Sequence, residues 1–282
     1  MAKQYTCEEV KTRLQQQINA GKPIIIAGAG TGISGKFSEQ GGVDLIGVYN
    51  SGLFRMDGKG SLAGLMPYGD ANQIVIDLAH RIFPVIKETP MIAGICGTDP
   101  NREMRPYLQH LQHLGFSAIM NFPTVGLIDG RFRQELEDTG MGYSVEINTL
   151  KIGKELGLFT LGYAFNVEEA RLVGQAQLDV LICHMGLTAG GSIGSKYAED
   201  RLTLEKSADL VNQMTKAARE GYKDIMIFAH GGPIAYPEDT RYIYENTESV
   251  GFLGASSIER IPIEVPLKNA CQEFKSISLK KK

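Results

Sequence analysis

Short apolar runs alternate with longer amphipathic stretches along almost the whole chain. Most runs are apolar throughout and not alternating, which is expected of parallel strands that are buried on both faces. Eight such runs predict strands over residues 24–27, 45–49, 91–96, 118–120, 160–163, 180–183, 225–229 and 252–255. The amphipathic stretches predict helices over residues 72–87, 102–114, 144–156, 167–176, 204–220 and 263–274. The pattern therefore indicates parallel strands joined by right-handed helical crossovers.

This alternation favours an α/β protein that closes into an eightfold β/α barrel, the TIM barrel, as a single domain over residues 1–282. Eight units spread over about 250 residues match the usual size of such a barrel, and an open doubly wound sheet is the alternative. Residues 1–20 are expected to form an N-terminal helical extension, and residues 276–282 a frayed tail. The site is then expected at the carboxyl ends of the strands.

Three connections are longer than a strand-to-helix turn requires, namely residues 50–70, 122–143 and 185–203. Each follows a predicted strand, so all three are expected on the same face of the barrel. Long loops inside a compact domain usually bind ligands or cover an active site. The three connections therefore indicate that the expected site lies at their end of the barrel.

Composition and charge narrow the classes of partner. The chain is 43% hydrophobic and 22% charged, which is typical of a soluble globular protein. Its net charge of −3 supplies no basic field for a nucleic acid, and no apolar stretch reaches the roughly 20 residues that span a bilayer. We therefore expect a cytoplasmic protein with neither nucleic acid nor membrane as a partner. The four cysteines are widely scattered, which indicates neither a disulfide framework nor a zinc site.

Two histidines close predicted strands. His184 ends the sixth strand and His230 the seventh, which places two imidazoles suited to proton transfer at the catalytic face. His80, His110 and His113 fall within predicted helices and are expected at the surface. The alternative for the strand-end pair is that the imidazoles cap or brace loops through hydrogen bonds.

A glycine-rich segment follows the first strand, and residues 30–35 within it fit the GxGxxG pattern. Dinucleotide binding would also require an acidic residue at the end of the second strand, yet that strand ends Val48, Tyr49, Asn50, Ser51. Two interpretations remain open. The glycines let the backbone at Gly30 approach a small anion, or they form a tight turn.

Other strand-end residues suit a small anionic metabolite. Barrels often bind phosphate in the loops after strands seven and eight. The substrate-binding candidates are Gly30, Asn50, Arg55, Asn121, Gly231, Gly232, Ser256 and Ser257. Local turn and cap roles are the alternative for the glycines and serines.

Acidic candidates are few. Asp99 follows the third strand and is a candidate for a catalytic role or for a metal site, and Glu146 from the long fourth connection is its possible co-ligand. A divalent cation such as Mg²⁺ prefers carboxylate oxygens of this kind. Helix capping is about as good an interpretation for Asp99, because Pro100 follows it.

Nine segments together resemble the phosphoenolpyruvate hydrolase-like TIM-barrel family, and they span nearly the whole chain. They are GAGTG (28–32), VYNSG (48–52), PYGDAN (67–72), GICGTDP (94–100), NFPTVG (121–126), TGMGY (139–143), HMGLT (184–188), HGGP (230–233) and GASSIER (254–260). The resemblance implies a relationship to the phosphoenolpyruvate mutase and isocitrate lyase barrels. It also implies a substrate like phosphoenolpyruvate or phosphonopyruvate, and a homo-oligomer.

Two implications of the resemblance compete. The first is a hydrolase or lyase of a small phosphorylated or phosphonylated carboxylic acid. The second is a non-catalytic signalling module that binds a small anion, because the family is also described as TIM-barrel signal-transduction proteins. The mutase-type barrels carry an aspartate pair around the third strand and a Lys-Cys-Gly-His loop, whereas this chain has Asp99 as the obvious acid there and lacks that loop.

Overall fold

Eight parallel strands form a closed barrel in the computed structural model, which describes residues 3–194 and 202–280. The strands are Ile24–Gly28 (β1), Leu45–Val48 (β2), Met91–Ile95 (β3), Ala118–Asn121 (β4), Phe159–Ala164 (β5), Val180–His184 (β6), Met226–His230 (β7) and Gly251–Gly254 (β8). Each pairs with its sequence neighbours, and β1 pairs with β8. The predicted eightfold barrel is confirmed.

Helices follow the strands and surround most of the barrel. They are Cys7–Asn19 (α1), Gly32–Gln40 (α2), Asn50–Met56 (α3), Ala71–Ile82 (α4), Met104–Leu114 (α5), Gly130–Asp138 (α6), Tyr143–Glu155 (α7), Val167–Gln175 (α8), Leu204–Gly221 (α9), Pro237–Asn246 (α10), Ser256–Glu259 (α11) and Ile261–Ser276 (α12). Short 3-10 turns cover Ser61–Leu65, Phe83–Val85 and Val125–Leu127. Within the described ranges, no helix is long and apolar enough to cross a membrane.

The sequence pattern did not predict several of the helices. Helix α2 begins inside the glycine-rich segment, where the Thr31 side chain accepts from the Ser34 amide and Ser34 returns a bond in a capping box. Glycine content conceals this helix, because glycine weakens both helix propensity and apolar periodicity. Helices α3 and α6 lie inside the first two long connections, and residues 195–201 of the third lie outside the described residues.

The core has two layers, as the barrel geometry requires. One layer packs between the outer strand faces and the helices, and the other fills the barrel interior. Helix α1 contributes Val10 and Leu14 to the interior layer, together with Tyr5 before it. The N-terminal helix therefore plugs the amino end of the barrel and leaves the carboxyl end for the site.

Replacing Leu14 by alanine tests this plug. Leu14 is 1% exposed, so the change removes buried methyl groups and leaves a cavity. We expect the free energy of unfolding, measured by urea titration, to fall by about 2–5 kcal/mol. Gln16→Ala on an exposed position of the same helix is the control and should change it by less than about 0.5 kcal/mol. Equal effects of the two substitutions would contradict the plug.

Candidate active site

A small cavity of about 40 Å³ opens at the carboxyl ends of the strands. Its position is typical of small-molecule sites in barrels. Side chains from six strand ends and their loops line it, including Tyr49, Ser51, Arg55, Phe122, Tyr163, His184, His230 and Ser256. The cavity is therefore apolar at its walls, with a small set of convergent polar groups.

The two predicted histidines meet in this cavity. Strands β6 and β7 pair in a register that sets His184 directly opposite His230. Their ring centroids lie 4.4 Å apart with the planes at 76°, and both residues are buried. The register of the two parallel strands thus places the imidazoles side by side, because opposed residues of neighbouring strands share a face.

Backbone partners select different tautomers for the two neutral rings. Nδ1 of His184 accepts a hydrogen bond from the Gly186 amide at 3.0 Å, so its proton resides on Nε2. Nδ1 of His230 lies 2.6 Å from the carbonyl oxygen of Leu253, which can only accept, so His230 carries its proton on Nδ1. The pair therefore offers one Nε2–H donor on His184 and one basic Nε2 on His230.

Burial keeps both rings uncharged at neutral pH. Desolvation lowers the pKa of His230 to about 4, with a smaller lowering from Arg55 and an opposing rise from its bond to Leu253. Desolvation and the neighbouring His230 together hold the pKa of His184 well below its usual range. The tautomers assigned above are thus the ones that persist at pH 7.

Aromatic rings form the floor beneath the histidines. The Tyr163 centroid lies 5.2 Å from that of His184 and 5.5 Å from that of His230, and Phe165 packs on His184 at 4.5 Å. Tyr49 also reaches the cavity, and its buried hydroxyl has no hydrogen-bond partner among the described residues. These rings exclude water and so maintain the depressed pKa values.

Arg55 is held in the cavity wall by a buried ion pair. Its Nε and Nη2 donate to Oε2 of Glu259 at 2.8 and 2.5 Å. Oε1 of Glu259 in turn accepts from the Gly30 amide and from the Ser34 hydroxyl, both at 2.5 Å. We call these four residues the Arg55 clamp; it joins the loops after β1, β2 and β8 and leaves Nη1 of Arg55 without an acceptor in the described chain.

The clamp explains the glycine-rich segment. A Cβ on Gly30 would lie 2.0 Å from the carbonyl oxygen of Gly52, so only glycine allows the two loops to approach this closely. The Gly30 amide is already bound to Glu259 and does not face the cavity as an anion donor. Of the two interpretations of GxGxxG, the structure favours the close backbone turn.

The Gly231–Gly232 turn joins two active-site loops. Both glycines have positive φ, at 75° and 57°. The Gly232 amide donates to the carbonyl of Gly186, and the Ala189 amide donates to the carbonyl of Gly232, each at 2.8 Å. The amide and carbonyl of Gly232 therefore bind the loop after β6, next to His184, and do not form an open anion site.

Ser256 and Ser257 begin α11, but they differ in position. Ser256 is buried and lines the cavity, with no side-chain hydrogen bond within the described ranges, whereas Ser257 is half-buried and outside the lining. Ser51, which the sequence did not single out, also lines the cavity and donates to the carbonyl of Ser61 at 2.7 Å. One of the two predicted serines thus faces the cavity.

Asn50 and Asn121 are buried beside the cavity and are engaged by protein groups. Nδ2 of Asn50 donates to the Gly64 carbonyl at 2.8 Å, while its Oδ1 is buried without a partner in the described chain. Oδ1 of Asn121 accepts from the Tyr163 amide at 2.7 Å, and its Nδ2 donates to Glu146 at 2.8 Å. Neither residue lines the cavity.

The two acidic candidates also lie outside the cavity lining. Asp99 accepts from Asn72 at 3.0 Å and pairs with Arg102 at 2.5 Å, which ties the loops after β2 and β3. Glu146 is fully buried and accepts from Asn121, Thr124 and the Val125 amide. Burial raises the pKa of its carboxyl to about 7, against the lowering effect of those hydrogen bonds.

A metal site does not follow from this donor set. Asp99 and Glu146 each bind separate protein groups, and residues 3–194 and 202–280 contain no cluster of three His, Cys, Asp or Glu able to hold a metal. Mg²⁺ is usually held by one or two carboxylates together with waters and substrate oxygens, so a cluster of three protein ligands is not required. In the described residues, however, Asp99 and Glu146 are engaged by other protein groups outside the cavity lining, and neither is placed to hold the predicted cation at this cavity.

Comparison with known proteins identifies the family. The profile described as phosphoenolpyruvate hydrolase-like matches residues 9–277. The chain belongs to this family. The resemblance seen in the sequence segments is thereby confirmed.

Two curated relatives of this phosphoenolpyruvate hydrolase-like barrel are longer proteins. The ToMV resistance protein Tm-1(GCR237) of Solanum lycopersicum is 50% identical over 268 residues, which cover 95% of this chain and 35% of the relative. The protein y4pA of Sinorhizobium fredii is 31% identical over 261 residues, 91% of this chain and 42% of the relative. The chain thus spans about two fifths or less of the length of these curated relatives.

Solved structures share the architecture of the phosphoenolpyruvate hydrolase-like barrel. Oxaloacetate acetylhydrolase superposes with a TM-score of 0.62 at 12% identity, covering 99% of this chain and 90% of that one. Phosphonopyruvate hydrolase, solved with oxalate and Mg²⁺, gives 0.61 at 12% identity, covering 94% and 87%. Likeness at this identity shows the fold alone.

The Arg55 clamp makes a prediction about stability. Glu259→Ala leaves a buried guanidinium without its partner, so the free energy of unfolding should fall by about 3–5 kcal/mol in urea titration. Glu155→Ala, which removes the exposed partner of Arg105, is the matched control and should cost at most about 1 kcal/mol. A Glu259 variant as stable as the control would show that the pair is not the buried clamp described.

The depressed pKa of His230 predicts a loss of stability in acid. Its folded pKa of about 4 lies below the unfolded value of 6.5, so the unfolded chain binds more protons once the pH falls below 6.5. Between pH 7 and pH 4 the wild type should lose about 3 kcal/mol more than His230→Gln, which cannot take up the charge. Urea titrations at the two pH values measure this difference, and parallel losses would refute the neutral buried imidazole.

Proposed function

We propose that the cavity is the active site of a hydrolase or lyase that acts on a small carboxylic acid carrying a phosphoryl or phosphonyl group, such as phosphoenolpyruvate or phosphonopyruvate. The observation that carries the proposal is the histidine pair, which presents one base and one acid at adjacent positions in a water-poor cavity. Family membership and the likeness of fold to phosphonopyruvate hydrolase support the substrate class.

His230 serves as the general base in this proposal. Its unprotonated Nε2 accepts a proton from the attacking water or from the substrate, since Nδ1 is occupied at Leu253. The backbone bond to Leu253 also stabilises the imidazolium that forms, in the way that a fixed acceptor orients a catalytic histidine.

His184 serves as the hydrogen-bond donor and general acid. Cleavage next to a carbonyl or enol develops negative charge on an oxygen, and a fixed N–H donor in a low-dielectric cavity stabilises that charge strongly. A neutral imidazole is able to play this electrophilic role when its surroundings suppress the imidazolium. Nε2–H of His184 fits, because Nδ1 accepts from Gly186 and the ring is uncharged.

Arg55 and Ser256 orient the substrate in the proposal. Nη1 of Arg55 is the guanidinium nitrogen that Glu259 does not occupy, and it suits one oxygen of the substrate carboxylate. Ser256 supplies a buried hydroxyl near the start of α11, and the Tyr49 hydroxyl supplies another group without a protein partner. The clamp thus offers a cation whose position is set before the ligand arrives.

A non-catalytic small-anion binding module is the second candidate. It is favoured by two relatives that are 50% identical and whose names refer to resistance and susceptibility to a virus and not to a reaction. The same Arg55 and histidine groups would then hold an anion without turnover. Binding without consumption of the ligand distinguishes this candidate from an enzyme.

Turnover assays with matched histidine variants test the assignment. Phosphate and pyruvate release from phosphoenolpyruvate, phosphonopyruvate and related acids is measured, with and without Mg²⁺. Loss of a general base or acid costs about 10²–10⁴-fold, so His230→Ala and His184→Ala should each lower kcat by that factor. His110→Ala, on an exposed face of α5, is the control and should retain wild-type turnover.

A thermal-shift series with the same acids separates the two candidates. An acid that raises Tm and is consumed supports the enzyme, and one that raises Tm but is recovered intact supports the binding module. Turnover that survives in the double variant His184→Ala, His230→Ala contradicts the residue assignment. If no acid raises Tm and no acid is turned over, both candidates are contradicted.

A further inference from the structure

The cavity at the carboxyl ends of the strands is too small for the ligands proposed above. Its volume of about 40 Å³ gives room for about three waters. A three-carbon acid that carries a phosphoryl group is much larger than that. Some part of the cavity wall must therefore move before such an acid enters.

Leu62 is the part of the wall that faces solvent. It is 45% exposed, whereas the other residues that line the cavity are buried or half-buried. Tyr163 and both histidines lie in the packed interior of the barrel, where close packing leaves little freedom to move. Leu62 belongs to the 3-10 turn Ser61–Leu65, in the long connection after β2. This turn therefore stands between the cavity and solvent.

Few contacts hold this part of the connection in place. Only two hydrogen bonds in the described chain join residues 60–69 to the remainder of the protein. They run from the side chains of Asn50 and Ser51 to backbone carbonyls of the turn, at 2.8 and 2.7 Å. Leu65 adds an apolar contact with the interior layer of the core. A segment with so few contacts opens at a low free-energy cost compared with the strands.

Glycines with positive φ lie on both sides of the turn. Gly58 has a φ of 77° and Gly69 a φ of 156°, which other residues rarely adopt. Hinges commonly lie at loop positions of this kind, because a few residues there absorb the change in backbone angles. The segment between the two glycines is thus able to rotate while α3 and α4 stay in place.

We propose that the Ser61–Leu65 turn is a lid, which swings outward to admit the ligand and closes over it with Leu62 as its inner surface. Asn50 and Ser51 act as the latch, because they follow β2 and hold the closed turn by its carbonyls. The lid rests on the cavity as the ligand site and not on the reaction proposed for it. It serves an enzyme and a binding module equally.

The closed lid requires a glycine where it meets the latch. A Cβ on Gly64 would lie 2.1 Å from Oγ of Ser51 and 3.1 Å from its Cβ, which forces one of the two residues to move. The φ of Gly64 is not positive, so its backbone is compatible with alanine. Gly64→Ala is therefore a wedge that disfavours the closed lid and leaves the cavity side chains unchanged.

The lid also meets the loop after β6, which offers a way to lock it. A Cβ on Gly60 would lie 3.7 Å from Cγ2 of Ile193, so cysteines at the two positions are within disulfide reach. Gly60→Cys with Ile193→Cys should form a disulfide that keeps the lid shut. Because Cys271 is exposed, Cys271→Ser is introduced into every protein of the comparison.

Access to the buried histidines tests the lid without any substrate. Diethyl pyrocarbonate acylates unprotonated imidazoles, and mass spectrometry of peptides gives the rate at each histidine. His80 and His110 are exposed and serve as internal references. Gly64→Ala should raise the rate at His230 by about tenfold or more, since overpacking destabilises the closed lid. The oxidised cysteine pair should lower that rate by about tenfold or more, and reduction should restore it.

Gly60→Ala is the matched control for the wedge. Its methyl group meets only ordinary contact at 3.7 Å, so the rate at His230 should equal that of the wild type. Circular dichroism checks that each variant folds; if Gly64→Ala does not, the cysteine pair decides alone.

Two results overturn the lid. One is an equal rate at His230 in the wild type, the wedge and the oxidised pair. The other is an oxidised pair that reacts as fast as its reduced form, which would show that small molecules enter past another loop. Turnover and thermal shift with the acids are separate measurements, so failure of the lid and failure of the proposed function remain distinguishable.

Discussion

The buried pair of Arg55 and Glu259 is the interaction on which the candidate site depends. It ties the loops beside the seam between β8 and β1, because Glu259 follows β8 and binds the Gly30 amide and Ser34 after β1 as well as Arg55 after β2. Glycine at position 30 is a consequence, since the loops must approach within van der Waals contact for one carboxylate to reach all three donors. Such a pair contributes little net stability compared with an apolar replacement, and its main effect is to fix the position of the cation.

Desolvation gives the histidine pair its chemistry. In water both imidazoles would titrate near pH 6.5 and exchange their tautomers freely. Between Tyr163 and Phe165 they stay neutral, and the Gly186 amide and Leu253 carbonyl assign the proton of each ring. Arg55 adds to the lowering of the His230 pKa, so the clamp and the pair act on one another through the same low-dielectric cavity. One base and one donor arise from two identical side chains because their neighbours differ.

The periodicity of the chain was enough to predict the barrel and to place His184 and His230 at neighbouring strand ends. It was not enough for partners that are remote in sequence: Glu259 lies 204 residues from Arg55, and no local pattern relates them. Tyr49 and Tyr163 were missed because an aromatic residue in a strand usually indicates packing. Asp99 and Glu146 carry the right chemistry for a site, but their hydrogen bonds with Arg102 and Asn121 turn them away from the cavity. The sequence can therefore predict which residues lie at strand ends. The direction in which their side chains point can be read only from the packed structure.

Helix α12 also shows what the sequence could not predict. The sequence predicts an amphipathic helix over residues 263–274. It does not reveal whether that helix packs on its own barrel. In the structure, Arg260 continues the helical conformation from α11 into α12, so the chain does not turn back over the β8–β1 seam. Beside the β8–β1 seam lies a groove lined by Ser34 and Glu259, and both residues belong to the Arg55 clamp. The carboxylate that ties the loops after β1 and β8 is therefore the same one that positions the cation in the candidate site.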